Sequence, residues 1–349
     1  MVTFGIDAHK RSHTIVAVDD AGRKLGQLTT NATTTCEHLK IMKWAAQFGT
    51  DRTFAVEDCR HLSRRLEADM LAAGECIVRV PPKLMAHARD SARSYGKSDP
   101  IDALAVARAA LREPDLPVAR LDGPSRQVRL LVDHREDLVA ENTRHINRLR
   151  WHLHELDPTW DPPAKSLGSL RRLNATAQRL ADFDGLVAEI AAELVERITA
   201  LTKRVNELET RIRSSVTEIA PTLLTMDGVG PLTAAKIVGE TAGVHRFHSK
   251  DAYARHNGTA PVPVWSGNKH RHRLSRTGNR QLNAAIHRVA VTQIRMNDDA
   301  KAYMTKRLTN GNTKSEALRA LKRRLSDVVY RHLETDHYAS LATCEPLAT

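Results

Sequence analysis

Apolar positions come in short runs over the first eighty residues, then at steps of three and four. Residues 2–7, 13–18 and 24–29 read as strands, with Asp19-Asp-Ala-Gly22 turning the second into the third. Residues 33–48 carry helical periodicity. Arg52-Thr-Phe-Ala-Val-Glu57 is another apolar strand, and residues 61–73 a helix. Cys76-Ile-Val-Arg-Val80 is a strand stopped by Pro81-Pro82, and residues 99–111 form an Ala-rich helix. The order βββαβαβα predicts an α/β domain with a mixed sheet and helices packed on it.

Near Pro117 the pattern changes. Leu131, Leu138, His145/Ile146, Leu149, Leu153 and Leu156 form one stripe. After a Pro- and Gly-containing break, a second runs from Ile190 through Leu194, Ile198, Leu201, Val205, Leu208, Ile212 and Val216 to Ile219. Such steps over about four heptads predict a coiled-coil arm or long antiparallel helix pair; two helices of a globular bundle give the same stripe. Pro221 ends the arm. Gly228-Val-Gly230, with a new helix from Pro231, resembles a helix-hairpin-helix. Glycine lets the backbone turn tightly, and amides at the next helix start can bind a phosphate, although Gly-x-Gly also occurs in ordinary loops. Residues 258–278 read as loop-rich, residues 279–295 as a helix, and the chain from His332 as a tail. The expected division is 1–122, 123–220, 221–331 and a tail of 332–349, the third part being small and mainly α-helical.

The 349 residues suffice for two or three domains, and 41% hydrophobic residues sustain a core. Only 4% are aromatic, which argues against an aromatic platform for bases. The formal charge is +12 and the pI about 9.8, favouring a polyanionic partner. Residues 245–331 hold 19 Lys and Arg against 5 Asp and Glu, a net +14, so the remainder is slightly acidic. Lys269, Arg271, Arg273, Arg276 and Arg280 crowd together without an acid. Either a nucleic-acid surface or a solvated basic face accounts for them. Cys36, Cys59, Cys76 and Cys344 form no C-x-x-C pair, which disfavours structural zinc and fits a reducing cytoplasm. No apolar run is long enough for a membrane span, and the first residues do not read as a signal peptide.

The chemistry is expected from carboxylates. Asp7 and Glu57 end two strands that would be neighbours, and Asp99 and Asp102 open the helix after the fifth strand. Taken alone, Asp99 and Asp102 read as helix-capping and dipole-matching acids. Taken jointly, four carboxylates at one sheet edge repel unless divalent cations neutralise them, and hard oxygen ligands select Mg²⁺ or Mn²⁺. Two such ions stabilise attacking and leaving oxygens in phosphodiester chemistry. An aspartate ending the first strand before a hairpin resembles the beginning of an RNase H-like domain, although many strands end in Asp. Asp58 is left out, because a continued strand turns it to the opposite face.

Gly5-Ile-Asp-Ala-His-Lys10, Glu57 and Lys97-Ser-Asp-Pro-Ile-Asp-Ala103 resemble the DEDD motif of Piv-type insertion-sequence transposases. Gly228-Val-Gly230, Gly258-Thr-Ala-Pro261, Ser266-Gly267 and Gly278-Asn-Arg280 resemble their C-terminal domain. Lys97-Ser-Asp stands where Lys-Thr-Asp is more usual, and Glu57-Asp-Cys where Glu-Ser/Thr-Gly is common; neither removes a carboxylate. The resemblance implies an RNase H-like domain, a coiled-coil arm and a small domain carrying a nucleophilic serine. It implies a DNA recombinase in which Asp7, Glu57, Asp99 and Asp102 hold Mg²⁺ and Ser266 attacks the scissile phosphate. It further implies double-stranded donor and target DNA as partners, a structured guide RNA as in some members, and a homo-oligomer in the cytoplasm at the nucleoid. Read without the resemblance, Ser266 is a loop serine before a glycine, and Ser275 is a nearby alternative. A water-using junction nuclease and a non-enzymatic nucleic-acid-binding protein are the competing expectations.

Overall fold

A computed structural model describes residues 1–32, 34–58, 60–81, 84–85, 98–113, 116, 118–119, 123–266, 269–273 and 278–344. The chain forms two compact units, Met1–Leu121 and Asp122–Thr349.

The first unit opens with three antiparallel strands: β1 (Val2–Ala8), β2 (Ser12–Val18) and β3 (Lys24–Asn31). Helix α1 (Thr35–Ala45) follows, its Glu37 amide donating to the Thr34 hydroxyl, which supplies one of the acceptors a helix start lacks. Then come β4 (Arg52–Glu57), α2 (Arg60–Ala72), β5 (Ile77–Val80) and α3 (Asp99–Arg112). The sheet order is β3-β2-β1-β4-β5, with β4 parallel to β1 and β5 parallel to β4. This mixed sheet is the one an RNase H-like domain requires.

Strands β1 and β2 are buried on both faces beyond their first residues, as central strands covered on two sides must be. On one face Phe4, Ile6, Ile15, Phe54 and Val56 pack with Ile41, Leu66 and Met70. On the other, Val16 and Val18 pack against Ala103 and Ala107 of α3. That contact explains why α3 is rich in alanine. A Cβ on Gly5 would stand 2.0 Å from the Ala103 carbonyl and 2.4 Å from the Ala107 nitrogen, so the helix backbone rests directly on β1.

The second unit contains α4 (Pro124–Leu156), α5 (Leu170–Leu180), α6 (Leu186–Ile219), α7 (Pro231–Thr241) and α8 (Lys250–His256). A two-stranded antiparallel ribbon, β6 (Val262–Ser266) and β7 (Lys269–Arg273), follows. Helices α9 (Arg280–Met296), α10 (Asp298–Thr309) and α11 (Lys314–Cys344) complete it. Helices α4 and α6 run antiparallel: Arg135 meets Glu209 at 2.6 Å, and Asn142 donates to the Thr202 hydroxyl at 3.1 Å. Their buried seam is Val128, Val132, Leu149 and Leu153 against Leu194, Ile198, Val205, Leu208, Ile212 and Val216. It is one residue out of phase with the sequence reading at two places, since Val132 and Thr202 are buried where Leu131 and Leu201 are half-buried.

Three expectations change. Val128, Val132, Ile212 and Val216 share one core with α7, α9 and α11, so no boundary in packing falls at residue 220. Residues 332–344 are no tail but the end of α11, where Asp336 is 5% exposed and accepts from the Thr222 amide at 3.0 Å. The loop-rich stretch contains the β6–β7 ribbon. Among the described residues no helix is long and apolar enough to cross a membrane.

Candidate active site

The parallel register pairs Ile6 with Val56 and so carries Asp7 and Glu57 side by side to the ends of β1 and β4. Because α3 lies on Gly5, its first turn brings Asp99 and Asp102 over the same end. Pro100 suits this turn: the first amides of a helix have no internal partner, and proline presents none. Asp7 and Asp102 are buried, with 6% and 7% exposure, while Asp99 opens to solvent.

The sequence reading missed His9. Its amide closes the β1–β2 turn on the Ser12 carbonyl at 2.9 Å. Its Nε2 stands 3.0 Å from an Asp7 carboxylate oxygen and 3.4 Å from one of Asp99. Ligand atoms of Asp7, His9 and Asp99 all lie within 4.8 Å of one another. The available signal was the Asp7-x-His9 spacing: alternation places two such residues on one side of a strand end. Glu57, half-buried on the neighbouring strand, falls outside that trio.

Burial is the largest influence on Asp7 and pushes its carboxyl above the ordinary range. His9 opposes the shift, and the charges of Asp102 and Asp99 reinforce it. A desolvated carboxylate with further carboxylates nearby is electrostatically incomplete. The donor set suits a hard divalent cation, and the exposed His9 and Asp99 leave it a way in. Asp7 and Asp99 would hold such an ion, with Asp102 and Glu57 adjacent.

The other predicted residues belong to the second unit. Ser266 is the last residue of β6, opposite Lys269 across the ribbon. Lys269 and Arg271 lie on β7, Arg273 is exposed at its end, and Arg280 is exposed at the first position of α9. Arg276 and Ser275 lie outside the described residues. Gly228 has φ +79°, so glycine is needed there. Gly230 does not share that reason: its φ is −89°, and a Cβ would meet nothing within 4 Å. A 3-10 turn, Leu223–Thr225, precedes this segment. The Gly278-Asn-Arg280 motif is scaffold as well as charge. Asn279 caps α9 through the Leu282 amide, donates to the buried Glu240 at 2.6 Å, and bonds back to the His256 carbonyl.

Comparison with known proteins decides the family. A model of the DEDD transposases of IS110 elements matches residues 4–158, and one described as "Transposase IS116/IS110/IS902 family" matches residues 220–305. The chain belongs to the IS110 family of insertion-sequence transposases. Its relatives include the insertion element IS900 uncharacterized 42 kDa protein of Mycobacterium paratuberculosis, 28% identical with 96% of each chain covered. The insertion element IS116 uncharacterized 44.8 kDa protein of Streptomyces clavuligerus is 27% identical, covering 95% of this chain and 94% of that one. Among solved structures, T. thermophilus RuvC in complex with Holliday junction substrate covers 32% of this IS110-family chain and 94% of its own. Its identity is 17% and its TM-score 0.25, too low to compare geometry.

Proposed function

We propose that this transposase cuts and rejoins DNA by a serine-dependent, divalent-metal-dependent strand exchange. The observation that carries the reading is the meeting of Asp7, His9 and Asp99 at the end of β1, in a chain of this family. Asp7, Glu57, Asp99 and Asp102 would hold Mg²⁺ or Mn²⁺, which when bound supplies charge neutralisation for the reacting phosphate. Asp102 shapes the field on Asp7, and His9 orients its carboxylate through the 3.0 Å contact.

Ser266 is the proposed nucleophile. Its Oγ bonds to phosphorus as the bond from phosphorus to the leaving sugar oxygen breaks. The hydroxyl proton departs to a base, and the leaving oxygen takes one up. A phosphoserine link keeps the phosphodiester bond count, so the reverse step joins a new strand without an external energy source. A free serine is a poor nucleophile, which is why the reading couples Ser266 to the acidic site. Lys269, Arg271, Arg273, Arg276 and Arg280 bind the DNA backbone, and the segment of Gly228 and Gly230 offers amides to a phosphate. Donor and target duplexes, a structured guide RNA and a homo-oligomer, dimer or tetramer, complete the proposal. The α4–α6 pair serves as a coiled-coil arm.

The test is covalent trapping on labelled DNA in Mg²⁺. The wild type forms a protein–DNA adduct, and Ser266→Ala does not; an undiminished adduct in that variant overturns the serine assignment. Cleavage with no adduct in either protein assigns a water-using nuclease instead. Sequencing RNA that copurifies from the native locus tests guidance, and scattered background RNA counts against it.

A further inference from the structure

The second unit contains a recess of about 590 Å³, in the size range of small-ligand sites. Its walls are the Gly258–Pro261 turn, the base of β7, and the turn from α10 into α11. Six cations line it: Arg273, Arg307, Arg319, Lys322, Arg323 and Arg324. The one carboxylate among the described lining residues, Glu316, already accepts from the Thr313 amide and hydroxyl, both at 2.9 Å.

The cations differ in what occupies them. Arg323 is paired with Asp251 and Asp327, so it is satisfied internally. Lys322 is 8% exposed, and its ammonium donates to the neutral Asn283 amide oxygen at 2.6 Å. No ion pair is formed by Lys322 among the described residues, and burial lowers its pKa. The Arg307 Nε is buried without a hydrogen-bond partner. A buried cation such as Lys322 without a counter-charge is costly, so the recess has the character of an anion site. The Arg324 guanidinium lies 4.5 Å over the Tyr303 ring, giving the rim a flat stack. Guanidinium planes and aromatic faces receive unstacked bases, and arginine forks match phosphate oxygens.

We infer that this recess binds one unpaired nucleotide of a nucleic-acid strand, its phosphate held by Arg307, Arg319 and Lys322 and its base against the Arg324–Tyr303 stack. A duplex, convex and with its bases enclosed, cannot offer the same fit. The inference rests on the proposed function for its placement near the reaction. Arg273 lines the recess opposite Val262, and Ser266 is four residue steps from Val262 along the strand. At about 3.3 Å per residue that is roughly 13 Å along the ribbon. The held nucleotide would lie a few nucleotides from the reacting phosphate.

The experiment measures binding of full-length protein to a labelled single strand and to its duplex, by fluorescence anisotropy over a salt series. Arg307→Ala/Arg319→Ala should weaken single-strand binding at least about tenfold, with duplex binding changed less than about twofold. Losing the hold on that one phosphate should also lower the single-strand salt slope by about 0.7. Tyr303→Leu, which keeps the cations, should weaken the single strand alone. Equal losses on both substrates, or none, overturn the inference. Single-strand binding by Tyr303→Leu equal to wild type, with inorganic phosphate displacing the strand from both, assigns a free-anion site and overturns it too. Running the series in Ser266→Ala separates the two readings: a lost adduct with no selective loss of single-strand binding in the recess variants defeats only the recess, and an undiminished adduct with that selective loss defeats only the serine.

Discussion

Gly5→Ala would test whether the acidic site depends on how closely α3 rests on β1. The added methyl would start 2.0 Å from the Ala103 carbonyl oxygen and 2.4 Å from the Ala107 nitrogen, where ordinary contact begins near 3.4 Å. The neighbours are helix backbone, which cannot swing aside as a side chain would. Relief requires α3 to retreat by the difference, 1.4 Å. Overpacking of this kind costs about 1–3 kcal/mol, and the backbone contact places it at the upper end. The same movement carries Asp99 and Asp102 away from Asp7, and a 1 Å misplacement can cost about a hundredfold in rate. Hydrogen exchange at the β1 and α3 amides reads the first effect, and adduct formation at low temperature the second. Gly168→Ala, where a Cβ meets nothing within 4 Å, should change stability by no more than about 0.5 kcal/mol. If Gly5→Ala exchanged no faster than wild type and kept its rate, the account of how α3 positions the acids would be wrong.

Asp7→Asn should abolish strand exchange yet stabilise the metal-free protein, because it removes a desolvated charge of nearly the same shape. Mg²⁺ should then raise the melting temperature of the wild type but not of this variant; saturation a hundredfold above Kd corresponds to about 2.7 kcal/mol. His13 is buried against His38, and burial lowers its pKa from 6.5 to about 4. The neutral ring therefore contributes stability that is complete above pH 6.5 and is lost as pH falls toward 4, by about 3 kcal/mol. Asp7 shifts the other way in acid, so the difference between wild type and His13→Gln urea curves isolates the histidine; parallel curves would refute the assignment. Asp336→Ala should cost about 1–3 kcal/mol by stranding the Thr222 and Leu223 amides, whereas a flexible tail would give no change in urea midpoint.

The succession of elements and the candidate acids at their ends were legible because both follow from local pattern. Short, near-continuous apolar runs define β1, β2 and β4, as strands covered on both faces should show, and a carboxylate at a strand end is visible in one dimension. Asp99 and Asp102 were legible for the same reason, Pro100 marking the helix start. His9 was overlooked because its role comes from the tight turn after β1, which returns it to Asp7. Tertiary packing moved the helical stripes: Thr202 is buried in place of Leu201 because Asn142 across the pair gives its hydroxyl a partner. The end of α11 reads as a polar tail because Asp336 and its neighbours are hydrophilic. The acid is nevertheless buried by two amides more than a hundred positions earlier in the chain.

The basic half shows why charge counting stops short of a site. The +14 between residues 245 and 331 counts every Lys and Arg alike, although folding divides them. Arg323 is committed to Asp251 and Asp327, and Arg246 to the Thr241 carbonyl and His256, so these serve the core. Lys236, just before that stretch, is enclosed by Glu136, Asp133 and Glu240, which makes it structural despite its charge. Lys322, buried, and Arg307, half-buried, have the same sequence character and no acid partner among the described residues, and they converge on one recess with Arg319. A buried cation with an acid beside it holds the fold together. One without an acid exerts a standing electrostatic demand for an anion, and that distinction depends on α10 and α11 folding against the ribbon.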